Sequence, residues 1–336
     1  MKVRIIAEAG VNHNGNINTA KKLIKIASNA DADYVKFQTF KAENLVTKNA
    51  KRAKYQIRNT NIKNQTQFEM LKNLELKKDQ HHILLKECRD KKVSFLSTGF
   101  DIESLNFLKK IGLKIFKIPS GEITNIPYIR HVGGFRKEII LSTGMSNLKE
   151  VEIAISELIK SGTRLEKITL MHCTTDYPTS MGDVNLKAIQ TLKDEFNCKV
   201  GYSDHTLGDE ISIAAIAIGA STIEKHFTIS RNSSGPDHKA SMEPEELVNM
   251  IKKIRNIEKA LGDGVKKPSK GEMKNIMIAR KSIISKSNIN IGDKFSSNNI
   301  TTKRPGNGIS ASDWDKLLGK ISKKNYKKDD LIDEKI

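Results

Sequence analysis

The segment VSFLSTGFDIESLNFLKKIGLKIFKI, Val93 to Ile118, holds one complete folding unit. A β-rich run, Val93–Thr98, is followed by helical periodicity over Ile102–Ile111 and a second β-rich run, Lys114–Ile118. A strand, a helix and a strand in so short a span indicate a parallel βαβ crossover.

The same alternation extends in both directions. Further β-rich runs lie at Arg4–Ala9, Asp33–Gln38, Ile139–Thr143, Ile168–Cys173, Lys199–Ser203 and Thr222–Phe227, making eight. Amphipathic stretches such as Thr19–Ala30, Leu148–Ser161 and Glu243–Leu261 fill the gaps. Eight βα units over about 250 residues match an α/β fold of the (β/α)8, TIM-barrel type. A doubly wound open sheet fits less well, because the first turn lacks a G-x-G-x-x-G loop. The barrel is expected over 1–262. Gly262–Asn275, rich in Gly and Lys and holding Pro268, reads as a linker, placed at 263–279. The remainder, 280–336, has β-like runs at Lys281–Ser285 and Ile300–Lys303, turns at Asn290–Asp293 and Arg304–Gly308, and a short helix at Ala311–Leu318. So small a module is expected to lean on the barrel or on another subunit.

Composition narrows the function. The net charge of +19 is carried by lysines scattered along the helices, often beside Glu or Asp, and aromatics make up only 5%. Without aromatics interleaved among basic residues there is no stacking platform, so nucleic acid is not an expected partner. A lysine-rich solvated surface that mildly attracts anionic substrates is the better reading. No apolar run approaches the roughly 20 residues of a membrane span, and the N-terminal apolar stretch is too short for a signal segment. Cys88, Cys173 and Cys198 are odd in number and lack metal-type spacing, which suits reduced thiols in a cytoplasmic protein.

Barrel chemistry collects at the C-terminal strand ends. Those ends carry Glu8, Asn12 and His13; Lys36 and Gln38; Ser97, Thr98, Phe100 and Asp101; Lys117, Ser120 and Glu122; Ser142 and Thr143. The last three strands add His172, Thr174, Thr175 and Tyr177; Ser203, Asp204 and His205; and Glu224, Lys225 and His226. Two lysines with several hydroxyls suit a phosphate or carboxylate ligand. His205 and His226 end adjacent strands and are placed to share one metal with open positions left for substrate. Glu8 and Glu122 are candidates for acid/base work or for orienting water. His172 reads as buried and structural, Glu75 with His81 and His82 as a solvated helix face, and Met145 and Met181 as gap-filling apolar residues.

The motifs at these positions then align with a known family. AEAGVNHNG (Ala7–Gly15), VKFQTF (Val35–Phe40), YQIRNT (Tyr55–Thr60), FKIPSGE (Phe116–Glu122) and LSTGM (Leu141–Met145) are followed by MHCTTDYPT (Met171–Thr179), GYSDHT (Gly201–Thr206), IEKHFT (Ile223–Thr228) and SGPDHKAS (Ser234–Ser241). With KRPGNGIS (Lys303–Ser310) they span essentially the whole chain, which resembles the bacterial sialic acid synthases and their legionaminic acid synthase relatives. The last motif is similar to the antifreeze-like (SAF) domain of these enzymes.

The resemblance implies metal-dependent condensation of phosphoenolpyruvate with an N-acetylated mannosamine-type sugar. Lys36, Thr98, Lys117, Ser120, Ser142, Thr175 and Ser203 correspond to positions that hold phosphoenolpyruvate. His205 and His226 correspond to ligands of a divalent ion, Mn, Mg or Co. Glu8 and Glu122 correspond to acidic residues near the reacting centre. Gln38, Phe100, Tyr177 and Asp237 correspond to acceptor contacts. Arg304 corresponds to an arginine that one subunit of a domain-swapped homodimer inserts into its partner's barrel. Gly99 stands where proline is usual and Thr175 where asparagine is common. N-acetylmannosamine and 2,4-diacetamido-2,4,6-trideoxymannose both remain open as acceptor. A sugar phosphate such as N-acetylmannosamine 6-phosphate, a pseudaminate-type precursor and a Schiff-base aldolase using Lys36 or Lys117 are the alternatives, with a non-catalytic carbohydrate-binding protein behind them.

Overall fold

The computed structural model describes residues 2–60, 62 and 64–335. Eight parallel strands close into a barrel in sequence order: β1 (Arg4–Gly10), β2 (Tyr34–Thr39), β3 (Ser94–Gly99), β4 (Ile115–Ile118), β5 (Glu138–Ser142), β6 (Ile168–His172), β7 (Lys199–Asp204) and β8 (Thr222–His226). β1 pairs with both β2 and β8, which removes every sheet edge. Each strand coincides with a β-rich run of the sequence to within a residue or so at either end.

The helices are held by their sequence in the expected way. Asn147 caps the helix Leu148–Lys160 in a capping box with Glu150, and its apolar face buries Val151, Ala154, Ile155 and Leu158. Asp101 accepts the backbone N–H of Ser104 and starts the helix Ile102–Lys110. One continuous core fills the space between strands and helices. Among the described residues, no helix is long and apolar enough to cross a membrane.

The chain divides into two compact units, Met1–Gly262 and Asp263–Ile336. The second has an antiparallel pair, β9 (Ser282–Ser285) and β10 (Ile300–Lys303), over a small core of Ile283, Ile289, Phe295, Ile300, Leu317, Tyr326 and Ile332. Part of the segment read as a linker is a helix, Lys270–Ala279, opened by a Ser269–Glu272 capping box. That Ser-x-x-Glu signal outweighed the glycines and lysines around it. The short helix expected at Ala311–Leu318 is a 3-10 turn, Ala311–Asp313, running into a single α-turn, Trp314–Leu317.

Some side chains lie elsewhere than expected. His81 is fully buried, with Nε2 2.8 Å from Thr39 Oγ1 and Nδ1 2.8 Å from the Lys77 carbonyl oxygen; of the pair, only His82 faces solvent. Glu75 accepts the backbone N–H of Ala42 at 2.7 Å instead of standing free. Met145 and Met181 fill no gap: they are 72% and 52% exposed on connections that stand clear of the core. His172 is half-buried on the helix side of β6, its Nε2 2.8 Å from the Val184 carbonyl oxygen.

At the end of the barrel away from these strand-end loops, Asp33 acts as a clasp. Its carboxylate accepts Lys2 Nζ (2.8 Å), Ile5 N (2.8 Å) and Arg255 Nη2 (3.0 Å), while Arg255 Nη1 donates to the Val3 carbonyl at 2.8 Å. β1, the entry to β2 and the last barrel helix, Pro244–Leu261, are thereby joined. Partial burial opposes ionisation of Asp33, but the Lys2, Ile5 and Arg255 donors outweigh it and hold the carboxyl below its ordinary value. A carboxyl depressed on folding contributes stability above its unfolded pKa and loses it as the pH falls through the folded one. Asp33→Asn should therefore cost about 1–3 kcal/mol at neutral pH, with the deficit shrinking on acidification. Urea unfolding of both proteins at pH 7 and below pH 4 measures the difference; a deficit independent of pH would show that the charge is not the cause.

Candidate active site

Strand alternation sorts the titratable groups. On β8, Glu224 and His226 face the barrel interior while Lys225 faces the helices; on β7, Ser203 faces inward and Asp204 outward. Asp204 and Lys225 are thereby paired in the wall. Lys225 Nζ lies 3.0 Å from Asp204 Oδ2 and donates to the Thr206 carbonyl at 2.6 Å, and Asp204 also accepts the hydroxyls of Thr206 and Ser212. These two strand-end charges are structural.

The inward groups line a cavity of about 360 Å³ at the C-terminal strand ends. Glu8, Lys36, Gln38, Thr98, Phe100, Lys117, Ser120 and Glu122 border it, as do Ser142, Thr175, Tyr177, Ser203, His205, His226 and Asp237. Every barrel residue assigned a catalytic, binding or metal role from the sequence is thus brought to one place. Arg304 belongs to the second unit, where its side chain is exposed and Nε donates to the Ala279 carbonyl at 3.1 Å.

The base of the cavity is a buried quartet of charges. Lys36 Nζ lies 2.8 Å from Glu8 Oε2 and 3.5 Å from Glu224 Oε2, and Lys117 Nζ lies 3.3 Å from Glu224 Oε1. Thr98 Oγ1 accepts Lys36 at 2.9 Å, and Ser203 Oγ donates to Glu224 Oε1 at 2.9 Å. Burial opposes ionisation of Glu224, but the Lys117 and Lys36 ammonium groups and the Ser203 hydroxyl overcome it and keep the carboxylate charged. For Glu8 the balance is the reverse: burial, aided by the negative Glu224, outweighs Lys36 and lifts the carboxyl to about 7. One carboxylate stays charged while the other is poised near neutrality, a division of roles suited to proton transfer.

Glu224 was present among the strand-end residues of the sequence but had no role there. The signal was its position two residues before His226, which puts both on the inward face of a strand. Glu122 sits on the 3-10 turn after β4, its carboxyl raised by partial burial and its Oε2 accepting Asn125 Nδ2 at 2.6 Å. Burial lifts Asp237 to about 6. Gly99 fits a close approach: a Cβ there would come within 3.0 Å of Leu105 Cδ2 and 3.2 Å of Leu108 Cδ1.

The two histidines suit a metal ion. Their ring centroids are 5.7 Å apart, and burial holds both imidazoles below their usual pKa, hence neutral. His205 Nδ1 lies 2.6 Å from the Thr174 carbonyl oxygen, which fixes the proton on Nδ1 and leaves the Nε2 lone pair. Ser203 Oγ, 3.3 Å from Nε2, has its single proton engaged by Glu224. His226 Nδ1 is buried without a hydrogen-bond partner. Among the described residues there is no cluster of three or more ligating side chains. Two neutral nitrogens without donors fit an ion whose remaining positions stay open. Tyr177 packs against both rings, at 4.2 Å from His205 and 5.8 Å from His226.

Part of the cavity lining is apolar. Between β2 and β3 the chain makes a long connection that includes the short helices Ala42–Leu45 and Gln67–Leu74. Val11, Phe40, Met70 and Leu74 form a separate buried cluster there, with Leu45, Leu71 and Phe100 packed on it.

A closed parallel barrel with these groups at its strand ends, followed by a small C-terminal β unit, is the arrangement of a two-domain barrel enzyme. The chain belongs to the NeuB family, the sialic acid synthases: the family's model matches residues 23–266, and that of the SAF domain matches 280–335. It is 56% identical over 333 residues to the N,N'-diacetyllegionaminic acid synthase of Campylobacter jejuni, covering 99% of each chain. It is 46% identical over 317 residues to the enzyme of the same name from Legionella pneumophila, covering 94% of this chain and 89% of that one. Among solved structures, the N-acetylneuraminic acid (sialic acid) synthetase of Leptospira borgpetersenii, in complex with citrate, superposes with a TM-score of 0.73 at 36% identity, covering 82% of this chain and 90% of that one.

The quartet makes a prediction independent of substrate. Glu224→Gln leaves two buried ammonium groups facing Glu8 alone. The variant should lose about 3–5 kcal/mol, the usual cost of breaking a buried ion pair from one side. Inorganic phosphate, which can replace the missing charge, should raise its melting temperature more than that of the unaltered protein. Equal shifts in a fluorescence melt would count against the charge balance described.

Proposed function

We propose that the protein joins phosphoenolpyruvate to 2,4-diacetamido-2,4,6-trideoxymannose, releasing phosphate and forming N,N'-diacetyllegionaminate. The observation that carries this reading is the convergence of two buried lysines, five hydroxyls and two neutral histidines on one cavity. The acceptor follows the two legionaminic acid synthases to which the chain is similar. Lys36, Lys117, Thr98, Ser120, Ser142, Thr175 and Ser203 hold the carboxylate and phosphate of phosphoenolpyruvate. Gln38, Phe100, Tyr177 and Asp237 contact the sugar.

His205 and His226 would hold a divalent ion, Mn, Mg or Co, which when bound supplies Lewis-acid polarisation of the sugar aldehyde. C3 of phosphoenolpyruvate forms the new bond to the aldehyde carbon, and its oxygen gains a proton. Water then adds to the cationic C2, and the tetrahedral intermediate expels phosphate by C–O cleavage. Glu8, its carboxyl lifted to about 7, gives the aldehyde oxygen its proton as the new bond forms and then, as the carboxylate, takes one from the attacking water, while Glu122 orients the reacting groups; the C2 hydroxyl proton leaves with the departing phosphate. The lysines offset the anionic charge throughout. Schiff-base chemistry at Lys36 is disfavoured. Burial alone would lower this lysine, but Glu224 and Glu8 outweigh it and keep the amine protonated, whereas a Schiff-base nucleophile needs a neutral one.

Phosphate release with each candidate sugar tests the reaction directly. EDTA should abolish it and Mn, Co or Mg restore it, and His205→Ala or His226→Ala should reduce turnover at least ~100-fold, since a Lewis acid contributes several kcal/mol. Full turnover by chelated, metal-free enzyme would overturn the metal assignment.

Arg304 enters the same reading. Its guanidinium has donors left beyond the one used on Ala279, suited to an acyl carbonyl. In a domain-swapped homodimer it would serve the partner's barrel. Subunit exchange between Arg304→Ala and His205→Ala chains should then yield heterodimers with one complete site, and activity should return towards half of the unaltered level. A mixture that stays inactive, or a monomer in sedimentation at assay concentration, would refute the swap.

A further inference from the structure

The proposed reading uses only Phe100 of the apolar residues that line the cavity and gives the others no role. Phe40, Leu45, Val46, Leu71 and Phe100 border the same space as the lysines and histidines, and Leu45, Val46, Leu71 and Phe100 are only half-buried. The packed cluster beneath them fixes their position. Amide side chains line the same cavity: Gln56 and Gln67 on the connection after β2, and Gln38 on β2, its Nε2 3.4 Å from Glu8 Oε1. A sugar hydroxyl against this wall would surrender its water and gain no side-chain partner, which is costly. An acetamido group brings both an N–H and a carbonyl, which the amide side chains of the cavity suit better than this wall does. The acetyl methyls are apolar too, but each is tied to an N–H and a carbonyl that need partners; the C6 methyl is the one substituent of the proposed acceptor that brings no polar atom with it.

We propose that this wall seats the C6 methyl of the acceptor, and that Leu45 and Leu71 set the preference for a 6-deoxy sugar over its 6-hydroxy counterpart. The proposal rests on the reaction put forward above and adds to it the residues that choose the acceptor. Anchored by its aldehyde at the strand ends, the open-chain sugar points its far end at the wall. Leu71 lies on the helix Gln67–Leu74 and Leu45 on Ala42–Leu45. Both therefore stand on the excursion between β2 and β3, apart from the groups that bind phosphoenolpyruvate.

The test compares phosphate release with 2,4-diacetamido-2,4,6-trideoxymannose and with 2,4-diacetamido-2,4-dideoxymannose, which differ by one hydroxyl. The unaltered enzyme should prefer the 6-deoxy sugar by about 10- to 100-fold in kcat/KM, the range in which an apolar pocket rejects an added hydroxyl. Leu71→Gln and Leu45→Asn should each bring the ratio towards unity while leaving the KM for phosphoenolpyruvate unchanged; Leu71→Met should keep it. No phosphate release with either sugar would refute the reaction itself. An active enzyme with a ratio near one, or a ratio that survives both polar substitutions, would refute the wall while leaving the reaction intact. The ratio of the unaltered enzyme decides even if a polar variant unfolds.

Discussion

Four ionisable groups buried at the base of the cavity constrain everything built around them. Two ammonium and two carboxyl groups cannot be held out of water unless they face one another at close range, so β1, β2, β4 and β8 must keep their mutual register. The same requirement makes the site reactive. Glu224 satisfies both lysines and stays ionised, which leaves Glu8 under the opposing influence of burial and of a neighbouring negative charge. Groups neutralised only by each other are also ready to receive an anion that offers the lysines a new partner.

Much of this is legible in the amino-acid sequence. Eight β-rich runs separated by helical periodicity define the barrel, and strand ends are where its chemistry gathers, so the lining of the cavity can be picked from motifs such as IEKHFT and GYSDHT. Pairings across the barrel are not legible in the same way. Period-two alternation places Glu224 and His226 inside and Lys225 outside, yet partnership among inward residues of non-adjacent strands, such as Lys36 and Glu224, depends on the closed geometry and has no linear signature. His81 illustrates the converse. Beside exposed His82 it reads as a surface residue, but helix rotation turns it into the layer behind β2, where Thr39 provides a partner.

The apolar wall is hidden in the sequence for a different reason. Its residues come from the connection after β2 and from Phe100, beyond β3, and each is unremarkable in its own stretch of chain. Their distance in sequence hides them: Leu45, Leu71 and Phe100 come to one cluster, that of Val11, Phe40, Met70 and Leu74, only when the connection after β2 folds back on the barrel. The capping boxes, by contrast, are local, and Ser269 with Glu272 shows that such a signal prevails over a composition that reads as loop.

That connection after β2 separates two kinds of residue. It departs from one strand and returns at the neighbouring one, while the buried charges sit on the strands themselves and the Asp33 clasp secures the far end. If Leu45 and Leu71 seat the acceptor as proposed, they form an exchangeable part of the molecule: substitution at these two positions would alter which sugar is admitted while the buried ions and the closure of the barrel stay as they are.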